Sequence, residues 1–409
     1  MSKRVIIVGA GPGGLAAAML LARAGVRVKI VERLPRIGGR TSSIIANGFT
    51  FDLGPTFFLY PKVLAEIFAA CDRDLAERVP MVRLDPQYRL VFEGGGELLA
   101  TPDIPRMESA VAKLSPRDAG NVRRFLDDNR QKMAAFEPCL QQPFTGWRDV
   151  ATFRMLKLLP QLKPWESLDR HLRRYFQDER VRLSFCFQSK YLGMSPFVCP
   201  SLFSILSFLE YEHGVFHPIG GCGAITAAMA RCAEELGVEI ALDEPVEEIL
   251  FRGRRAIGVR TKNGRQTADA VVVNADFARA MSSLVPDRLR HRWSDRKIAG
   301  KKFSCSTFML YLGIRGTLPD LQHHNIFLAG DYRKNLQEIE RDHTLSENPS
   351  FYVQNACISD STLAPPGMST LYVLLPVSHQ HANIDWEQHK GRYRDLALAQ
   401  LHKLRIPDL

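Results

Sequence analysis

The chain has 409 residues, 45% of them hydrophobic, with 54 basic and 44 acidic side chains and a net charge of +10. Such a length and apolar content exclude a disordered tail or a disulfide-stapled miniprotein and allow two or three cored domains. The positive balance suits nucleic acid or an anionic membrane face, but no zinc-finger spacing, aromatic RNA-binding signature or dense basic tract accompanies it, so a membrane surface is favoured over nucleic acid.

The chain opens on VIIV (5–8), a short buried strand, and VGAGPGGLAAAM (8–19), a glycine turn entering a helix with helical spacing at Leu15, Met19 and Ala22. Each glycine has its own task. Gly9 permits the tight turn, Gly11 lets backbone approach a diphosphate without a Cβ in the way, and Gly14 lets the helix lie close to the strand. A diphosphate there meets free N–H groups and the positive end of the helix dipole. Gly25 ends the helix, VRVKIVE (26–32) forms the second strand, and Glu32 stands where a carboxylate reaches the ribose hydroxyls of an adenine dinucleotide. FAD and NAD both satisfy the pattern this far.

Residues 33–58, RLPRIGGRTSSIIANGFTFDLGPTFF, separate the two. Gly38 and Gly39 bring backbone to the same phosphates, and Arg40 supplies a cationic fork. Asn47-Gly48, between IIA and FTF, signals a hairpin where a nicotinamide domain would pass into another helix. The glycine fingerprint followed by Gly-Gly-Arg-Thr resembles the FAD-binding superfamily of amine oxidases and carotenoid desaturases, which implies FAD.

Residues 82–103 read as strands turning on three glycines, and a mostly helical region follows to about residue 212. Within it, residues 150–176 mix Leu, Phe and Trp with Arg154, Lys157, Lys163, Arg170, Arg173 and Arg174. That composition suits either a basic amphipathic helix pair in a membrane interface or a solvated face of its own domain. FVCPSLFSILSFLEY (197–211) is the apolar companion, read as core ahead of membrane entry. Glu210, Glu212, His213 and His217 crowd one segment, but Gly214 and Pro218 break the helix a zinc-binding pair would need, so no metal is expected. The turn Gly220-Gly221-Cys222-Gly223 offers a second phosphate cradle, but with no preceding strand legible it is read as a helix N-terminus near the flavin ahead of a second dinucleotide site. Beyond a helix over 224–236 come alternating strands turning at Gly253 and Asn263-Gly264, then AVVVNA (270–275), which rejoins the first sheet. SCSTFMLYLGI and STLYVLLPVSH supply further strands. Eight cysteines without a C-x-x-C pair argue against a disulfide reductase or a zinc knuckle and for reduced thiols in a cytosolic protein. MSKRVIIVGAG has no signal-peptide pattern, and no uninterrupted apolar span is present, so a bilayer is met from one side, the inner face of the cell membrane.

Three later stretches extend the resemblance: EYEHGVFHPIGGCGAITAAMARCAEELG (210–237), KKFSCSTFMLYLGI (301–314) and HHNIFLAGDYRKNLQEI (323–339), continued by NACISDSTLAPPGMSTLYVLLPVSH. Together they resemble phytoene desaturases of the bacterial and fungal type. The resemblance implies an α/β fold: a Rossmann-like FAD-binding domain (1–81 and 217–285), an interleaved mixed-sheet substrate domain (82–103 and 286–409) and a helical membrane-associating region (104–216). It implies FAD contacts at Gly9, Gly11, Gly14, Glu32, Arg33, Gly39, Arg40, Gly54, Pro55, Thr56 and Val246. Arg148 and Asp149, in GWRDVATF, match an Arg-Asp pair with acid-base or polarising roles in the family; from the residues alone, Asp149 before VATFRML is placed to cap a helix. Family members carry a further glycine-rich segment near the C-terminus that returns to the flavin. The sequence ends at LHKLRIPDL ahead of it, so a fragment with weak FAD binding is expected.

The implied reaction removes a hydride and a proton from adjacent carbons of a long isoprenoid polyene. Its demand on the protein is alignment, with the allylic carbon within about 3.5 Å of the flavin ring. At roughly 0.8 kcal/mol per buried methylene, such a substrate needs an apolar route from the membrane. Oxygen or a quinone is the implied electron acceptor. A related saturase, isomerase or oxygenase, or a non-catalytic lipid-binding escort, shares the scaffold.

Overall fold

A computed structural model describes residues 2–140, 142–290 and 292–406; the side chain of Arg154 lies outside those described. The chain divides into two compact units, one of Met1–Val82, Phe216–Lys302 and Thr362–Pro365, the other of Arg83–Val215, Phe303–Ser361 and Pro366–Leu409.

In the first unit, Arg4–Val8 pairs in parallel with Arg27–Val31 on one side and Ala270–Val273 on the other, and Glu239–Ala241 completes a four-stranded sheet beyond Arg27–Val31. Strand AVVV therefore does rejoin the first sheet, and the order follows the dinucleotide-binding pattern. The unbroken apolar run of the first strand has a physical cause. Val5 and Ile7 join the helix-side core with Leu15, Met19, Ile225 and Met229, whereas Ile6 and Val8 face Val31 and Val259 on the opposite side. Both faces are covered, so alternation is lost. The helices on the first face are Pro12–Arg23 and Cys222–Glu235. On the second face lies the antiparallel sheet Val246–Arg252, Arg255–Thr261 and Gly264–Thr267. Ser43–Ala46 and Phe49–Asp52 form the expected hairpin, with Asn47 at φ 51° and Gly48 at φ 83°, the left-handed pair that a two-residue turn requires.

The second unit is built on a six-stranded mixed sheet in the order Ser306–Arg315, Met368–Val377, Phe351–Gln354, His324–Leu328, Tyr88–Phe92, Glu97–Ala100. Only the contact between His324–Leu328 and Tyr88–Phe92 is parallel among the described pairings of this sheet. Helix Trp386–Gln400 lays Tyr393 and Ala397 against Phe327, Leu371 and Val373. The helical part includes Asn121–Leu140, Phe153–Leu162, Leu168–Leu172 and Ser204–His213. Its interior is aromatic: Phe185 stacks on Phe176 at 4.5 Å and meets Phe125 and Tyr211 at 5.0 and 4.8 Å. The mixed α/β architecture is the expected one, and among the described residues no helix is long and apolar enough to cross a membrane.

One local expectation is corrected. A strand, Val215–Pro218, does precede the Gly220 turn. It is four residues long and closes on a proline, and a stretch so short carries no legible alternation.

Candidate active site

The glycine turn is shaped by the residue that follows the last strand of the first sheet. Asn274 donates its backbone N–H to the Val8 carbonyl at 2.9 Å, and its own carbonyl oxygen lies 2.6 Å from where a Cβ on Gly9 would stand. Gly9 has φ +104°, so a side chain there is excluded by conformation and space together. A Cβ on Gly14 would stand 2.2 Å from the Gly9 carbonyl oxygen, which explains the close helix–strand approach. Gly11 differs. Its Cβ position has only the Asn274 side-chain nitrogen near it, at 3.5 Å, an ordinary contact. The chain's own packing therefore does not require glycine at 11, and the backbone there is left open to the approach of a ligand. Gly39 faces it, with its Cβ position 3.5 Å from the Gly11 Cα, and the Gly38 N–H is latched to the Ala10 carbonyl at 2.8 Å. Gly11 precedes helix Pro12–Arg23 without a side-chain cap, which suits N-terminal N–H groups turned toward an anion. The turn fits a dinucleotide diphosphate.

Glu32 is buried, and its carboxylate has a structural task before any ligand arrives. Oε2 accepts the Ala10 N–H at 2.8 Å and Oε1 accepts the Leu34 N–H at 2.9 Å. Each oxygen retains acceptor capacity for a hydroxyl. The Glu32 carbonyl accepts the Glu244 N–H at 2.8 Å, bringing Val246, at the head of the next strand, beside the group of Val8 and Val31. Arg33 is exposed, and Arg40 extends from the Gly39–Thr41 turn with its side chain 87% exposed, 4.0 Å from Asp276. Gly54 brings a second backbone against the Arg40 carbonyl, where a Cβ would stand at 2.4 Å. Pro55 is exposed and Thr56 buried. At the second glycine turn, buried Asp52 accepts the Gly223 N–H at 3.3 Å and caps helix Cys222–Glu235. Burial, reinforced by Asp52, pushes the Cys222 thiol well above its ordinary pKa. Asn274 and Asp52 escaped the sequence reading, although an Asn closing the run AVVV was its visible signal.

Arg148 and Asp149 belong to the second unit, on the short helix Trp147–Val150. Arg148 is exposed. Asp149 Oδ2 accepts the Thr145 hydroxyl at 2.9 Å and the Thr145 and Gly146 N–H groups at 2.7 and 2.9 Å. Those donors, the hydroxyl first, hold its pKa below the usual carboxylate value. Asp149 thus anchors the turn preceding it. The following helix, Phe153–Leu162, is capped by Thr152, whose hydroxyl accepts the Met155 N–H; the capping expected of Asp149 for that helix is corrected accordingly, because its side chain folds back rather than forward.

Glu210, Glu212, His213 and His217 do not converge. Glu212 pairs with Arg130 through two contacts of 2.7 and 2.8 Å, Glu210 faces Tyr88 and Gln188, and His217 is buried in the other unit. In the basic segment, Arg173 pairs with Asp169 at 3.1 Å and Arg174 with Glu166 at 2.7 Å. Helix Phe153–Leu162 turns Leu158 and Leu162 inward onto Cys139, whereas Leu156, Trp165 and Val198 are 56%, 72% and 67% exposed. Most of 197–211 is core, as expected, with Ile205, Phe208 and Tyr211 buried.

Against known proteins, residues 12–407 match the family of flavin containing amine oxidoreductases. The 4,4'-diapophytoene desaturase (4,4'-diapolycopene-forming) of Methylomonas sp is 40% identical over 401 residues, covering 98% of this chain and 78% of that protein. The lycopene-forming phytoene desaturase of Pantoea ananas is 34% identical over 413 residues, covering 100% and 83%. Among solved structures, an oxidoreductase from Methanosarcina mazei superposes with a TM-score of 0.64 at 18% identity, over 98% of this chain and 84% of that one, a likeness of fold.

Proposed function

The chain belongs to the flavin-containing amine oxidoreductase family, and from that premise we propose that it desaturates a long isoprenoid polyene of the phytoene or diapophytoene type in carotenoid biosynthesis. It is an oxidoreductase, and its cofactor is FAD. The observation that carries the substrate class is the end-to-end similarity to a diapophytoene desaturase, 40% identity over 98% of the chain.

The chemistry that FAD supplies when bound is acceptance of a hydride equivalent from an allylic C–H. In this reading Gly9, Gly11, Gly14 and Gly39 cradle the diphosphate, Arg40 and Arg33 neutralise it, and Glu32 receives the ribose hydroxyls with the oxygen capacity left beside Ala10 and Leu34. Gly54, Pro55, Thr56 and Val246 border the remainder of the cofactor. Asp149 acts by holding the Thr145–Gly146 turn, with Arg148 beside it at the substrate side. Leu156, Trp165 and Val198, with Lys157 and Arg170, form the face that meets an anionic bilayer, on the cytoplasmic side, and draw substrate from it. Oxygen or a quinone is the terminal oxidant.

The test is expression of the chain in cells that accumulate colourless phytoene or diapophytoene, read by pigment absorbance and mass. Products lighter by pairs of hydrogens, with red-shifted absorbance, are expected. Unaltered precursors beside a flavin-loaded protein would overturn the reading.

A further inference from the structure

We propose that residues 277–302 of the first unit form an electrostatic docking surface for an anionic phospholipid bilayer, distinct in residues and in physics from the apolar face of the second unit. The inference deepens the desaturase reading, which draws its substrate from a membrane, but its readout is binding and needs no turnover.

The segment carries eight basic and two acidic side chains, a net charge of +6 within a chain of net +10. No more than two of the basic residues are adjacent in sequence, so only folding gathers the charge. Helix Phe277–Leu284 is followed by the short turn Asp287–Leu289 and helix Asp295–Ala299. Trp293 joins the two ends of the segment: Phe277 meets its ring edge-on at 4.8 Å, and the Lys301 ammonium lies over it, 5.4 Å from the centroid. Arg290 ties the middle together. It is buried, and its guanidinium reaches Asp287 at 3.3 Å and Asp295 at 2.5 Å. Both acids of the segment are thereby committed to its one buried cation. The other seven basic residues, from Arg279 to Lys302, are exposed, and among the described residues none of them is paired with a carboxylate. Arg173 and Arg174 of the second unit, by contrast, are already held by Asp169 and Glu166.

Exposed cations crowded in this way repel one another and are relieved by a surface of opposite charge. Each cation brought near anionic headgroups raises affinity by about fivefold at moderate salt. The aromatic pair decides between lipid and nucleic acid. Phe277 and Trp293 are 48% and 37% exposed, rings half in water among cations, a combination suited to a lipid–water boundary that takes the apolar body and leaves the charge among the headgroups. Single-stranded nucleic acid requires bare aromatic faces on which bases stack. Trp293 already has Phe277 against it and Lys301 over its face.

The surface is continuous with the cofactor turn of the same unit. Asn274, which shapes that turn, stands three residues before Phe277. Asp276 between them caps the helix by accepting the Arg279 N–H at 3.1 Å and lies 4.0 Å from Arg40. A bilayer bound here therefore holds the strand end that carries the glycine turn.

The test is flotation of the FAD-loaded full chain with vesicles of phosphatidylcholine and of its equimolar mixture with phosphatidylglycerol. Salt is set at about 0.1 M and about 1 M, between which the Debye length falls from roughly 10 to 3 Å. Wild type should prefer the mixed vesicles by at least about 30-fold at low salt and lose that preference at high salt. Arg288→Gln, Arg296→Gln, Lys297→Gln and Lys302→Gln combined should lose at least about 30-fold in affinity for mixed vesicles, with binding to phosphatidylcholine and flavin content unchanged. Arg288→Lys with Arg296→Lys, which keeps the charge, should bind as wild type does. If the fourfold variant fails to fold, Lys297→Gln with Lys302→Gln supplies the second measurement, with a loss of about tenfold. A folded variant that keeps the wild-type preference overturns the proposal. So does a preference abolished by neutralising Arg170, Arg173 and Arg174 instead, or tighter binding of single-stranded DNA than of mixed vesicles at the same salt. Failure of the desaturase reading looks different: wild type leaves phytoene and diapophytoene unaltered while the lipid preference, and its loss in the fourfold variant, persist.

Discussion

Glu32 Oε2 accepts the backbone N–H of Ala10 at 2.8 Å, tying the end of the second strand to the middle of the glycine turn that leaves the first. The bond is buried, so deleting the carboxylate strands the Ala10 donor as well as removing the proposed ribose acceptor. Glu32→Ala should cost about 1–3 kcal/mol of stability and lower FAD occupancy at the same time. Denaturant unfolding and flavin absorbance per protein check the two effects. A variant that retains wild-type flavin and stability contradicts the assignment.

Gly11→Ala and Gly14→Ala should fail in different ways. A methyl on Gly14 meets the Gly9 carbonyl oxygen at 2.2 Å, a backbone atom that cannot move aside, so the variant should lose several kcal/mol or not fold. A methyl on Gly11 meets nothing of the chain closer than 3.5 Å. That variant should fold with a wild-type circular dichroism spectrum and bind FAD at least tenfold more weakly by fluorescence titration.

The proposed membrane face is carried more by its apolar side chains than by its paired cations. Arg173 and Arg174 already face Asp169 and Glu166, whereas Leu156 and Trp165 are exposed. With roughly 1.5–3 kcal/mol for each large apolar side chain taken out of water, Leu156→Ser combined with Trp165→Ser should reduce partitioning onto anionic vesicles by about 100-fold. Neutralising Arg170, Arg173 and Arg174 should have a smaller, salt-dependent effect. Co-sedimentation unchanged by the apolar pair would remove this face from consideration.

The raised Glu210 pKa makes a signed prediction for stability. Burial lifts the folded-state value from 4.5 to about 7, so the folded chain holds this proton more tightly than the unfolded one. The stabilising contribution is complete below pH 4.5 and disappears as pH rises through 7, a difference on the order of 3 kcal/mol. Relative to wild type, Glu210→Gln should therefore gain stability from pH 5 to pH 8. Denaturant midpoints measured across that range would show it, and parallel curves for the two proteins would contradict it.

Much of the first unit was legible because its constraints are local. The two strands, the helix between them and the Asn47-Gly48 hairpin follow from apolar runs and from residues that tolerate positive φ within a few positions of one another. The role of Asn274 was not legible. Its carbonyl shapes a turn some 265 residues earlier in the chain, and only parallel pairing of Ala270–Val273 with the first strand puts it there.

The same division holds for the chemistry. Residue order alone made the glycine turn and its companion Gly-Gly-Arg segment legible, because glycine conformation acts over a single turn of chain, and the resemblance carried by those two segments implied the flavin. Tertiary structure alone decided that Glu210 is a buried acid beside Gln188 and Tyr88, its proton affinity raised by burial, and that Asp149 folds back onto Thr145. A carboxyl's proton affinity depends on which donors, charges and apolar atoms surround it in space, and Tyr88 stands 122 positions from Glu210 along the chain.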